Sequence, residues 1–542
     1  MSTLSKISHI RHLLAAGLLL SVLCACSLYD YGFYDTNPDP SNPQIATDNQ
    51  YINLSIVVSA GNEGTTRADE KPAGGEDGDG REAGFERENK VKGITLMLYV
   101  VEKKEDNITD KGINDITNET LAFIQYYPVT LVDDSLKEQG TSASAPSKMI
   151  EAVYTTGDQS LGGSGLDLAK TYRAIVVANL DLTTIKAKDA DTLRFKVGSK
   201  VKDVLDYEIT DKIYQYKSSE IGAKADATEF VMSLESEDNT IISFQKPNST
   251  TTSANGQTIE KFEFDKIRIE RLAARVDFWT YGADYKDDNS TYETPGYEYK
   301  VYKTDGTLSG DKFVLTAITP FNLYNDNEFL FKRIGDGTNK YKYLASEDGM
   351  PENEVVLDPK TLIKKLSSDP SDPSTPSYLT SLATILDTND DNKMQMSDFQ
   401  VGSDYVYNYN EKPNIIVCYP KENTLLNSPL FYYATGLRIE GDYYEEGWKE
   451  ETVTPNPKVK HLTYYGFLRH QGENPTGTYE IYSKEYLEEN RDKLVGKHPM
   501  YFGVVRNNIY RISIDRITEK REVTWQIKVK KWDEFNHDII YM

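Results

Sequence analysis

Residues 51–60 read YINLSIVVSA, in which Ile52, Leu54, Ile56 and Val58 alternate with Asn53, Ser55 and Val57. A period of two with one apolar face is the pattern of a β-strand laid on a core. The same pattern returns from Val91 onward, in VKGITLMLYVVEK, in TYRAIVVANLDL (Thr171 to Leu182) and in KFEFDKIRIERLAARVDFW (Lys261 to Trp279). It continues through DKFVLTAITPFNLY, PNIIVCYP, PLFYYATGLRIEG, KVKHLTYYGFLR, VVRNNIYRISIDRI and VTWQIKVKKW. Turn-rich stretches of Asn, Asp and Gly separate these runs, which is how a β-sandwich reads in sequence. The 38 tyrosines, with many Thr, Val and Ile, weigh toward strands as well.

At 542 residues the chain is too long for one ordinary domain. The expectation is a mainly β protein with two sandwich domains, residues 91–270 and 271–542, and a few short helices. Four stretches carry helical patterns: LTTIKAKDADTLRF, LDPKTLIKKLSS, SYLTSLATIL and SKEYLEENRDKL, the last with Ser483 as its N-cap.

The N-terminus sets the compartment. Lys6, His9, Arg11 and His12 precede the apolar run LLAAGLLLSVL, which is too short to span a bilayer. A basic start followed by such a run is a secretory signal, here residues 1–25. Leu23-Cys24-Ala25-Cys26 resembles a bacterial lipobox, in which Cys26 takes lipid once the signal is cut; an ordinary signal with an incidental cysteine is the alternative. Residues 26–67 then comprise a Pro- and Asn-rich tether and the first strand. Residues 68–90 are rich in Gly and acid and are expected to be flexible and open to proteases. Arg67, Arg81 and Arg87 are the arginines of this region.

A formal net charge of −24 argues against nucleic acid or anionic membrane as a partner, since both are negative. Of three cysteines, Cys24 leaves with the signal and Cys26 carries the lipid. Cys418 stands alone in an apolar run and is expected to be a buried thiol with no disulfide.

The six histidines are scattered, and no Ser-His-Asp, Cys-His or zinc pattern emerges, so no enzyme and no cofactor is expected. One stretch, DTNDDNKMQMSD, places Asp387, Asn389, Asp391 and Asp398 near calcium-loop spacing. Asn392 stands where that loop uses glycine, and Asp398 is shorter than the usual glutamate, so an acidic solvated loop is the preferred reading. EGDYYEEGWKEE reads as a charged, Tyr-rich loop. The four tryptophans are read as packing residues in preference to sugar platforms, Trp525 because it alternates with core-type neighbours.

These features together resemble a Bacteroidia fimbrillin (type V pilin), closest to the stalk subunit of a minor fimbrium. The residues that carry the resemblance are the lipobox at Cys26, a strand ahead of the Arg67-Ala68 bond, IRIERLAARVDF, GVVRNNIYRISIDRI and the closing KKWDEF. The resemblance implies two transthyretin-like β-sandwich domains and export as a lipoprotein. It also implies cleavage after Arg67 by an arginine-specific protease, and polymerisation in which a strand of another subunit fills the groove left by the first strand. Implied partners are further copies of the chain, anchor and tip or accessory subunits, and host or bacterial surface receptors. The middle of the chain, from about Asp284 to Tyr486, does not share in the resemblance.

Elementary energetics agrees with such a scheme. Burying Ile52, Leu54, Ile56 and Val58 is worth roughly 6 to 12 kcal/mol in all. A domain stable by about 5 to 15 kcal/mol cannot lose that without a replacement. At the other end, Val523, Trp525, Ile527 and Val529 alternate with Thr524, Gln526, Lys528 and Lys530, as a donor strand requires. The same pattern also suits the last strand of the chain's own domain. A surface glycan-binding lipoprotein and a tip or accessory pilin are the competing functions.

Overall fold

The computed structural model describes residues 51–59, 81–83, 88, 91–101, 112–116, 118–128, 151–156, 170–188, 191–209, 230–243, 249–252, 258–286, 296–324, 327–338, 340–347, 350–361, 379–380, 394–395, 414–426, 434–448, 458–470, 476–490 and 500–533. By its contacts the chain divides into two compact units. One comprises Met1–Leu54, Val153–Leu166 and Lys246–Phe262; the other comprises Ser55–Ala152, Asp167–Gln245 and Glu263–Met542. Among the described residues the fold is mainly β, as the alternation predicts.

A nine-stranded sheet runs in the order Leu121–Pro128, Gly93–Val100, Thr171–Ala178, Met232–Leu234, Thr258–Arg271, Tyr51–Ser59 and Glu151–Thr156. Two short strands join it from the side, Ser249–Thr252 on Thr258–Arg271 and Ile241–Ser243 on Thr171–Ala178. Gly93–Val100 and Thr171–Ala178 are buried along almost their whole length, so both of their faces are covered.

A twelve-stranded sheet holds the rest of the main strands. Its order is Asp284–Lys286, Gly296–Tyr302, Leu308–Phe321, Gly436–Tyr444, Val459–Phe467, Thr476–Ser483, Val523–Asp533, Asn508–Ile517, Arg275–Trp279 and Asn414–Cys418. Arg81–Ala83 pairs with Val523–Asp533, and Met394–Gln395 with Leu308–Phe321. Phe313 and Leu437, from one half of this order, share a single buried cluster with Val276, Ile512 and Trp525 from the other half. One sheet whose two halves bury against each other is a sandwich.

Several local expectations change. LTTIKAKDADTLRF is not a helix: only Leu182–Thr184 forms one 3₁₀ turn, capped by the Asp181 carboxylate on the Thr183 N–H at 2.9 Å. A bridge between Lys186 and Leu193 then folds the run back, because the Asp181 cap and buried Leu182 and Phe195 fix its two ends. Val201–Leu205 forms a helix that patterning missed; it buries Val201, Val204 and Leu205, too few positions to register as a period.

SKEYLEENRDKL begins a helix at Lys484–Glu489, and the Ser483 hydroxyl accepts from the Tyr486 N–H at 3.2 Å. In SYLTSLATIL, Leu379–Thr380 is strand, paired with Leu323–Tyr324, and the remainder lies outside the described residues. LDPKTLIKKLSS is described only as far as Thr361, where the Asp358 carboxylate accepts from the Lys360 N–H at 2.8 Å. EGDYYEEGWKEE is strand in its first part. Gly436–Tyr444 extends through it, with Tyr443 and Tyr444 buried and with Asp442 beside His461, because a partner strand is present on each edge.

Candidate functional site: an inner strand and the buried clamp downstream of it

Ile52, Leu54, Ile56 and Val58 occupy alternate positions of Tyr51–Ser59, whose neighbours in the sheet are Thr258–Arg271 and Glu151–Thr156. The strand is therefore an inner member with a hydrogen-bonding partner on each side, and not an edge. Cys26, Arg67 and Ala68 lie outside the described residues. So do Asp387, Asn389, Asp391 and Asp398, although Met394–Gln395 between the last two is strand. Among the described residues there is no group of three His, Cys, Asp or Glu side chains placed to hold a metal. Among them, too, no helix is long and apolar enough to cross a membrane.

The stretch 68–90 is not loose throughout. Arg81–Ala83 pairs in parallel with Lys531–Asp533, and Glu88 is fully buried. The Glu88 carboxylate accepts from Arg275 Nη1 at 3.0 Å and from the Tyr419 hydroxyl, and its carbonyl accepts from Arg271 Nε at 3.2 Å. Asp277 grips the same Arg275 through Nε and Nη2, each at 2.9 Å. Paired and hydrogen-bonded on every side, these buried charges satisfy the condition under which burial is tolerated.

Two of the motifs that carry the family resemblance meet at this place. In IRIERLAARVDF, Arg271 donates through its backbone N–H and through Nη1 to Asn507 Oδ1, at 3.3 and 3.2 Å. Asn507 belongs to VVRNNIY and has φ +54°, a left-handed conformation that asparagine adopts more readily than most residues. Its N–H donates to the Ala273 carbonyl at 2.9 Å. Beyond it, Asn508–Ile517 runs parallel to Arg275–Trp279, with Arg275 opposite Ile509. The contacts of Arg271 with Asn507, and of the Asn507 N–H with Ala273, tie the two motifs together.

Two further buried clusters lie close in sequence to these. Arg506 donates to Glu422 Oε2 at 2.7 Å and to the Phe329 and Leu330 carbonyls at 2.6 and 3.1 Å. Burial pushes the Glu422 carboxyl up, and Arg506 pulls it partly back. Burial likewise pushes Glu328 up to about 7, against the pull of Arg506 and Lys421. Lys332 reaches Glu270 at 2.9 Å and Glu347 at 3.5 Å, and His470 bridges Glu347 and the Tyr510 hydroxyl at 3.0 and 2.9 Å. Burial alone would lower Lys332, but the two carboxylates hold it above the ordinary lysine range. These groups are buried, and within them Glu270 Oε1, Glu328 Oε1 and Arg506 Nε have no hydrogen-bond partner among the described residues.

At the C-terminal end, Val523, Trp525, Ile527 and Val529 are buried in the chain's own core. Their strand pairs with Thr476–Ser483 on one side and Asn508–Ile517 on the other. Cys418 is a buried free thiol, raised by desolvation and by the neighbouring Asp277. Trp279 lies under the Arg511 guanidinium at 3.6 Å.

Sequence reasoning did not find Glu88, Asp277, Tyr419 or Glu422. The only available signal was apolar company: Asp277 and Tyr419 each interrupt a strand-like run, where a polar residue needs a partner.

The fold and these sites define a mainly β protein with an inner, N-terminal strand that precedes a buried clamp. No protein-family model matches the chain, and no curated protein matches it. Among solved structures it is similar to a candidate cell adhesion protein from Parabacteroides distasonis, at 11% identity and TM-score 0.37, covering 90% of this chain and 99% of that one. It is similar to the tip fimbrial protein Mfa3 from Porphyromonas gingivalis, at 10% identity and TM-score 0.34, covering 89% and 100%. A fimbrilin from P. gingivalis gives 12% identity and TM-score 0.32, covering 90% and 99%. With TM-scores this low, none of the three assigns the chain a fold or a role.

Proposed function

We propose that this chain is a structural subunit of an adhesive surface fimbrium, exported as a lipoprotein through Cys26, cut between Arg67 and Ala68, and joined to other copies by strand exchange. The observation that supports this reading is the inner position of Tyr51–Ser59, between Thr258–Arg271 and Glu151–Thr156. Taking out an inner strand leaves a slot of roughly 9 to 10 Å between its former neighbours, with unpaired backbone groups on both walls. Such a slot is an aggregation site unless a specific strand fills it, and strand addition supplies main-chain bonds and a register of side-chain pockets.

In this reading the incoming strand belongs to a second copy, so the contact is heterologous and generates open fibres. Val523–Asp533 is the candidate donor strand by its alternation of Val523, Trp525, Ile527 and Val529, and in this role it would have to leave Thr476–Ser483 and Asn508–Ile517, with which it pairs here. Anchor and tip or accessory subunits would bound the filament, and surface receptors would meet its loops. The role is structural and not enzymatic.

The test is Arg67→Ala in the native host. Export should continue, while maturation and polymerisation are blocked or delayed, with Arg81 and Arg87 as the remaining arginines of the segment. Filaments built from uncut chains that retain Tyr51–Ser59 would refute strand exchange at this end.

A further inference from the structure

The segment 81–88 belongs, by composition, to a stretch that looks built to be cut, yet two parts of it are fixed in the fold. Arg81–Ala83 pairs with Lys531, Trp532 and Asp533, in the notch left because Thr476–Ser483 pairs with Val523–Asp533 only as far as Lys528. Glu88 is fully buried, with its carboxylate on Arg275 and Tyr419 and its carbonyl on Arg271.

We propose that Arg81–Ala83 and Glu88 together form a stop for proteolysis: a protease that cuts after arginine is held upstream of Arg81, and the shortened chain stays tied to its own terminal strand. A protease takes its substrate extended and unpaired, so a paired or buried segment is cut only through local opening. Cutting after Arg81 requires peeling Arg81–Ala83 away from Lys531–Asp533. Cutting ahead of Glu88 requires drawing a carboxylate out of a dry pocket where Arg275 and Tyr419 hold it.

Asp277 makes the clamp testable. It holds Arg275 by two bonds of 2.9 Å, so removing the Glu88 carboxylate does not strand a lone buried cation. The inference gives the proposed processing its downstream limit and rests on that reading for its use. The protection itself does not depend on fimbrial assembly.

The experiment is limited trypsin digestion of the full chain, with mass measurement of the N-terminus of the large fragment. In the unaltered protein that fragment should begin upstream of Arg81, at Ala68 for a single cut after Arg67. In Glu88→Ala, cutting after Arg81 and Arg87 should speed up about ten-fold to a hundred-fold, because the open form is more populated once a charge-assisted bond is lost. Glu88→Gln, which keeps an acceptor, should fall between. A wild-type fragment that starts at Glu82 or Glu88, or a folded Glu88→Ala with unchanged rates, overturns the proposal. Should Glu88→Ala not fold, hydrogen exchange on the unaltered chain decides: protected amides at Ala83 and Glu88 support the stop, and exchange at free-peptide rates refutes it. Filaments that assemble without any cut would refute the proposed cleavage and strand exchange and leave this protease map unchanged.

Discussion

Arg506 and Glu422 form an ion pair of 2.7 Å with both side chains buried, and Arg506 Nη1 and Nη2 also donate to the Leu330 and Phe329 carbonyls. Removing one partner of such a pair leaves an uncompensated charge in a dry site, which costs about 3 to 5 kcal/mol. Glu422→Ala should therefore lower the unfolding free energy by that amount, read from the urea midpoint with the slope unchanged. A loss under about 1 kcal/mol, within the worth of an ordinary hydrogen bond, would mean that the two carbonyls hold Arg506 without help.

Glu328 gives a pH dependence whose sign follows from burial. Its carboxyl rises from the ordinary 4.5 to about 7 in the fold, mainly through desolvation, and its Oε1 has no hydrogen-bond partner among the described residues. The folded chain thus binds this proton more tightly than the unfolded chain does. The contribution to stability is full below pH 4.5 and is lost as pH rises through about 7. Glu328→Gln should leave stability little changed at pH 4 and raise it by up to about 3 kcal/mol at pH 8. Denaturation curves at the two pH values check this, and an equal effect at both would contradict it.

Trp525 fixes the close approach of two strands. A Cβ on Gly466 would run into the Trp525 ring, so the glycine is there because nothing larger fits. Gly466→Ala should cost about 1 to 3 kcal/mol by overpacking, and Trp525→Ala about 3 to 5 kcal/mol by leaving a cavity. The double variant should lose less than the sum of the two, since the added methyl then enters the vacated space. Thermal unfolding of the four proteins measures it.

Most of the strands were legible because alternation reports burial directly. IRIERLAARVDF and VVRNNIY stood out in sequence without a reason, and the contact of Arg271 with Asn507 supplies one. The clamp was not legible. Glu88 is one of three glutamates in GREAGFEREN, and nothing local distinguishes a carboxylate that meets Arg275 from one that meets water. Trp525 was rightly placed on a core face, but its pattern suits a strand kept and a strand given away equally well. Five-residue helices such as Val201–Leu205 are fixed by what they pack on, not by period.

Cys26→Ser should remove the lipid and misroute the precursor, because acylation supplies the hydrophobic attachment that the polar tether from Ser27 lacks. Metabolic labelling with a fatty acid should mark the precursor of the unaltered protein and not that of the variant. A labelled variant would place the lipid elsewhere.

The most direct test of the proposed exchange is the mass of the chain's N-terminus in filaments sheared from the cell surface. A subunit that has surrendered its first strand begins at Ala68 and carries no lipid. Filament subunits that still hold Tyr51–Ser59, or an acylated Cys26, would contradict the account.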